Sequence, residues 1–77
     1  MDKVEEELYK HLMYVWQQTP IESKLTPRSA WSMNKRYYAA ARHSGETEWD
    51  DGWNTLRFRG LPILVTDRAI PAIVILG

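Results

Sequence analysis

Apolar positions in residues 2–18 recur at spacings of three and four: Val4, Leu8, Leu12, Val15 and Trp16. That period predicts an amphipathic helix with one apolar stripe, widened to one side by Tyr9 and Met13. Asp2, with Glu5 three positions on, has the spacing of a capping box. Glu5, Glu6 and Glu7 fall where the helix dipole favours negative charge. Thr19-Pro20 stops the helix, because the residue before proline is pushed out of the α region.

Residues 19–28 are polar and carry Pro20 and Pro27, so they read as a linker or surface loop. Ala30-Trp31-Ser32-Met33 reads as a short strand, with Trp31 and Met33 opposite Ser32. Asn34 is a good N-cap for a helix over 35–44, the run Ala39-Ala40-Ala41 favours helix, and Gly45 supplies a left-handed stop. Residues 46–54, Glu-Thr-Glu-Trp-Asp-Asp-Gly-Trp-Asn, read as an acidic and aromatic loop.

The period then switches to two. Leu56 and Phe58 face one way, and Thr55, Arg57 and Arg59 the other. Gly60 turns the chain, and Pro62 opens a strand through Ile63-Leu64-Val65. Asp67 to Pro71 is a turn, and Ile73-Val74-Ile75-Leu76 is a last strand that reads as covered on both faces. The order is helix, strand, helix, then a three-strand segment of antiparallel type. It predicts a single α+β domain over residues 1–77.

Composition narrows the class. The chain has 77 residues, and a domain this small has a thin stability margin. It has no cysteine, which excludes disulfides and thiolate metal sites. Four Trp, four Tyr and a 44% hydrophobic content argue against disorder. Ten basic residues balance ten acidic ones, so no net charge draws the chain to nucleic acid or anionic lipid. No apolar run approaches a membrane span, and the acidic start is unlike a signal peptide. The expected compartment is the cytoplasm.

Candidate chemistry is sparse. Glu46, Glu48, Asp50 and Asp51 offer hard oxygen ligands but lack the spacing of a calcium loop, so a solvated turn is the simpler reading. His11 and His43 lie on different elements and do not make a metal set. Ser29, Ser32, Ser44 and Thr66 sit in no nucleophile motif, and no phosphate loop is present. No catalytic residue, metal or cofactor is expected. Lys35, Arg36, Arg42, Arg57, Arg59 and Arg68, with Tyr38 and Trp53, have the residue types of a nucleic-acid face. The balanced charge favours an ordinary charged surface instead. A basic strand face at Arg57 and Arg59 pairing with the acidic loop of another subunit is a further possibility. Trp49 and Trp53, in a polar loop, are the clearest candidates for a protein contact. The interface candidates are therefore Trp49, Trp53, Asp50, Asp51, Arg57 and Arg59.

Residues 30–77 carry three motifs in order. They are Ala30-Trp31-Ser32-Met33-Asn34 before an alanine-rich helix, Leu56-Arg57-Phe58-Arg59-Gly60-Leu61-Pro62-Ile63-Leu64-Val65-Thr66-Asp67, and Ala69-Ile70-Pro71 leading to Ile73-Val74-Ile75-Leu76-Gly77. This segment resembles the later part of tailed-phage major capsid proteins of the Hong Kong 97-like fold. That family has a Trp-x-Met-Asn strand, a Leu-x-Gly-x-Pro-Val-x-x-Ser/Thr-Asp stretch and a Met-Pro before a strand ending in Gly. Full coat proteins are several times longer, and the family's spine helix, extended arm and hairpin loop have no counterpart in 77 residues. The resemblance implies a structural virion protein, capsid or capsid-associated, in the virion or the bacterial host cytoplasm. Its partner would be itself or a phage coat protein. A small phage protein that binds and inhibits a host protein is the alternative, and a nucleic-acid-binding module comes third.

Overall fold

The fold is that of a computed structural model, which describes residues 2–77. Helix α1 spans Lys3–Gln18, and a one-turn helix α2 spans Ile21–Lys24. Strand β1 (Ser29–Met33) and helix α3 (Lys35–His43) follow, then β2 (Thr47–Asp50), β3 (Thr55–Phe58), β4 (Leu61–Val65) and β5 (Ala72–Ile75). The α+β class is as the sequence predicts.

The expected boundaries of α1 and α3 hold because both ends are chemically fixed. Asp2 Oδ1 accepts the Glu5 N–H at 2.8 Å. Asn34 Oδ1 accepts the N–H groups of Arg36 and Tyr37. Thr19 is extended before Pro20, with ψ 128°, and Gly45, at φ +82°, ends α3. The reciprocal half of the α1 capping box does not form, because the Glu5 carboxylate turns instead to His43 Nδ1 at 2.5 Å.

The sequence predicts one short strand and a three-strand antiparallel segment, and the sheet differs from both in size and order. It has five strands in the order β2-β3-β4-β1-β5. β2, β3 and β4 form an antiparallel meander. β1 lies between β4 and β5, parallel to the first and antiparallel to the second. Two further readings change. The segment read as linker contains α2, and the first part of the segment read as an acidic loop is β2, zipped to β3 with Trp49 opposite Leu56, while residues 51–54 remain a turn. Its charged residues mask a strand that forms because β3 offers a partner.

Alternation sends Trp31, Phe58, Ile63 and Ile73 to one face of the sheet, where α1 and α3 lie. Trp31 is fully buried at the centre. It stacks on Trp16 at 6.1 Å, lies against Phe58 at 5.5 Å, and donates its indole N–H to the Phe58 carbonyl at 3.0 Å. Leu12, Met33, Tyr37 and Ala41 complete the core. A side chain such as Leu12, fully withdrawn from water, stabilises the fold by about 1.5–3 kcal/mol. Val4, read as part of the stripe, is exposed, and the residues of α1 that pack on the core start one turn later, at Leu8.

The histidines hold the helix layer together. His11 Nδ1 meets the Tyr37 hydroxyl at 2.7 Å, and His43 takes Glu5 as above. The two contacts clamp α1 to α3 at separate points.

β5, which reads as covered on both faces, is an edge strand left open at Ile75. Its neighbour β1 occupies one side only, and Ile75 is 55% exposed. An apolar run tells nothing of position across a sheet, so burial does not follow from it.

Candidate functional site

The six interface candidates fall on the β2–β3–β4 meander, five of them around the β2–β3 turn and Arg59 at the other end of β3. Trp49 and Asp50 are in β2, Asp51 and Trp53 in the following turn, Arg57 in β3, and Arg59 in the β3–β4 turn. The structure thus brings Trp49, Asp50, Asp51, Trp53 and Arg57 together on one hairpin.

That hairpin is internally braced. Asp50 Oδ1 accepts the Trp53 N–H at 3.0 Å, and Asp50 Oδ2 accepts from Arg57 Nε. The Trp53 amide, then the Arg57 guanidinium, hold the Asp50 carboxyl below its ordinary value. Arg57 also donates to the Gly60 carbonyl at 2.6 Å. Trp49 donates its indole N–H to Asp51 at 2.8 Å. Asn54, at φ 56°, closes the turn in a left-handed conformation that asparagine tolerates. Trp49 remains 56% exposed and Trp53 40% exposed. The tip therefore holds two indoles against solvent on a frame with little freedom.

Arg59 plays another part. With Gly60 it forms a two-residue turn in which both φ values are positive, 53° and 86°, as a type I′ turn requires. Arginine adopts such a φ only with compensation. Here its N–H points to the Glu46 carbonyl, its guanidinium reaches Glu46 Oε2 at 3.3 Å, and it lies over the Trp16 ring at 5.1 Å. Glu46 also accepts the Tyr9 hydroxyl at 2.9 Å. Partial burial, then that carboxylate, raises the Tyr9 pKa. Glu46, Arg59, Trp16 and Tyr9 together tie the hairpin to α1. Both arginines proposed for pairing with a second subunit's acidic loop are thus engaged by acids of their own chain.

The remaining basic candidates do not join them. Lys35 and Arg36 line a shallow cleft of about 490 Å³ with Asn34, Val65, Thr66 and Asp67. It opens at the start of α3, where Asn34 already accepts the first free helix amides. Arg42 sits at the far end of α3. Among the described residues no group of His, Asp and Glu is placed to hold a metal ion. None of the helices is long and apolar enough to cross a membrane.

One surface escaped the sequence reading. Ile21 and Leu25, on and after α2, are 64% and 73% exposed, and Ile75 lies exposed near them on the sheet edge. The missed signal was amphipathic. Ile21 and Leu25 stand four apart in a polar stretch with little to cover them. Compared with known proteins, the chain matches no protein-family model, no curated protein and no solved structure.

Proposed function

We propose that this chain is a structural assembly domain of a phage virion, capsid or capsid-associated, working by protein–protein contact and not by catalysis. The observation that carries this reading is the braced hairpin tip with Trp49 and Trp53 facing solvent. Rigid aromatic groups lose little freedom on docking and are enriched at interface hot spots. The ordered motifs of residues 30–77 point to a coat protein or a further copy of this chain as the partner.

The test is light scattering of the purified chain over a concentration series, with negative-stain images of any large species. Rings, shells or other assemblies beyond a dimer are expected. Their loss in the Trp49→Ala/Trp53→Ala variant, with circular dichroism unchanged, assigns them to the tip. A chain that never exceeds a dimer, and that fails to bind capsids of a tailed phage in co-sedimentation, sinks the reading.

A further inference from the structure

Strand β5 has one bonded neighbour. Its hydrogen-bond phase can be read from one contact: the Leu76 N–H donates to the Arg28 carbonyl at 2.8 Å. The β1–β5 register sets Val74 opposite Ala30 and Ala72 opposite Ser32. In an antiparallel pair bonded and non-bonded positions alternate. Ala72 and Val74 therefore bond to β1, and the N–H and C=O groups of Ile73 and Ile75 point out of the sheet.

Such an edge is a template for another strand. Natural sheets guard edges with charge, proline or a covering element. Ala72-Ile73-Val74-Ile75 has no charge and no proline within it. Besides β1, helices α1 and α2 pack near β5, and they leave Ile21, Leu25 and Ile75 open to solvent.

We infer that β5 pairs antiparallel with β5 of a second copy across a two-fold axis at Val74, joining two sheets into one. The phase selects this register. With Val74 opposite Val74, Ile73 of each copy faces Ile75 of the other, and these are the residues whose backbone groups are free. Each such pair exchanges both of its N–H···O bonds. On the helix face, Ile73 and Ile75 from both copies form one apolar row that covers the exposed Ile75. On the opposite face, Val74 meets Val74.

Charge supports a second copy as the occupant. Glu22, on α2, lies toward the C-terminal end of β5, where Ile75 pairs with Ser29 and the Ser29 hydroxyl reaches the Ser23 carbonyl. Arg68 lies in the segment that enters β5 from the other end. Among the described residues neither forms an ion pair within the chain. A two-fold at Val74 places the end of each copy that carries Glu22 and Arg28 beside the end of the other that carries Asp67 and Arg68, so each charge has one of opposite sign across the axis. It also brings Ile21 and Leu25 toward the second copy's apolar entry to β5, which includes the exposed Ile70. Opposite charges at matched positions fix register and speed encounter.

The contact does not depend on the hairpin tip. A two-fold contact closes at a dimer, whereas rings and shells need the tip as well.

The decisive experiment combines mass and cross-linking on the 77-residue chain. With the tip contact removed by Trp49→Ala/Trp53→Ala, sedimentation equilibrium is expected to show a monomer–dimer equilibrium. Ile75→Lys puts an ammonium into the apolar row and raises the dimer dissociation constant about a hundredfold or more. Because Ile75 is exposed in the single copy, its circular dichroism and thermal midpoint stay near wild type. The chain has no native cysteine, so Val74→Cys gives a single thiol whose axis-related mate lies at a non-bonded pair, about 4.5 Å between Cα atoms. Mild oxidation then yields a disulfide-linked dimer. A strict monomer at every concentration overturns the inference. So does a dimer indifferent to Ile75→Lys, or one that Val74→Cys fails to cross-link. Loss of large assemblies in the Trp49→Ala/Trp53→Ala variant with the dimer retained separates this contact from the tip.

Discussion

At one edge of the sheet β2 reads Thr47-Glu48-Trp49-Asp50, and at the other β5 reads Ala72-Ile73-Val74-Ile75. Both have free backbone groups on one side. β2 carries two acids on one face, and two copies paired through it would set like charges across the junction, which is destabilising. β5 carries none. β2 is also braced from within by Asp50, Arg57 and the Trp53 amide, whereas the exposed end of β5 is flanked by the uncovered Ile21 and Leu25. A charged, stiffened edge suits a tip that offers side chains. An uncharged edge suits one that offers its backbone.

Three substitutions break or sharpen this contrast. The largest effect is expected where the two halves of the sheet are joined. Trp31 sits in β1 beside β5, and its indole reaches the Phe58 carbonyl on β3. Trp31→Ala should destabilise the domain by about 3–5 kcal/mol, enough to unfold much of a small domain with a thin margin. Urea titration followed by circular dichroism checks it, and both edges should be lost in one transition.

A smaller effect falls on the β5 side alone. Asn34 caps α3 and also donates from its amide nitrogen to the Arg68 carbonyl at 3.0 Å, fixing the segment that leads into β5. Asn34→Ala should cost about 1 kcal/mol from the cap. Hydrogen exchange should speed up in residues 66–75 before it does in β2 and β3.

The smallest falls on the β2 side. Asp50 is held below its ordinary value of 3.8, so its contribution is fully present above the unfolded pKa and is lost as pH falls through the lowered folded value. Acid titration of the hairpin, read by the Trp53 amide resonance, should show loosening below about pH 4. Asp50→Asn should loosen the hairpin already at neutral pH and flatten that acid response, leaving the β5 resonances unmoved.

The parts of this fold that were legible in the sequence are those fixed by neighbours along the chain. Asp2, Asn34 and Gly45 mark helix ends through contacts within a few residues. The alternation of Leu56 and Phe58 sorts β3 correctly onto the core. What was not legible is set by distant pairing. β2 contains Glu48 and Asp50, residues poor in strands, and becomes a strand because β3 and the Asp50–Arg57 pair hold it. No local signal places β1 between β4 and β5. The candidate site divides in the same way. Trp49 and Trp53 were recognisable as aromatics out of place in a polar stretch. Arg57 and Arg59 read as a basic face for another subunit's acidic loop, because the acids that hold them, Asp50 and Glu46, come near only when the hairpin closes. The Ile73–Ile75 edge went unseen because apolar sequence alone cannot separate a central strand from a peripheral one.

The central position of β1 also bears on how the molecule is made. β1 is the first strand along the chain, yet both its partners, β4 and β5, come after α3 and the whole β2–β3 hairpin. The meander of β2, β3 and β4 closes through short turns, which form within microseconds. β1 must wait for a long loop to close, and contacts of that range slow folding. During synthesis Trp31 therefore leaves the ribosome well before the neighbouring strands can cover it. In that interval α1, which precedes it and whose Trp16 stacks on Trp31 in the folded chain, is a surface able to shelter it. The N-terminal helix would thus serve as a temporary escort for the strand around which the sheet is later built.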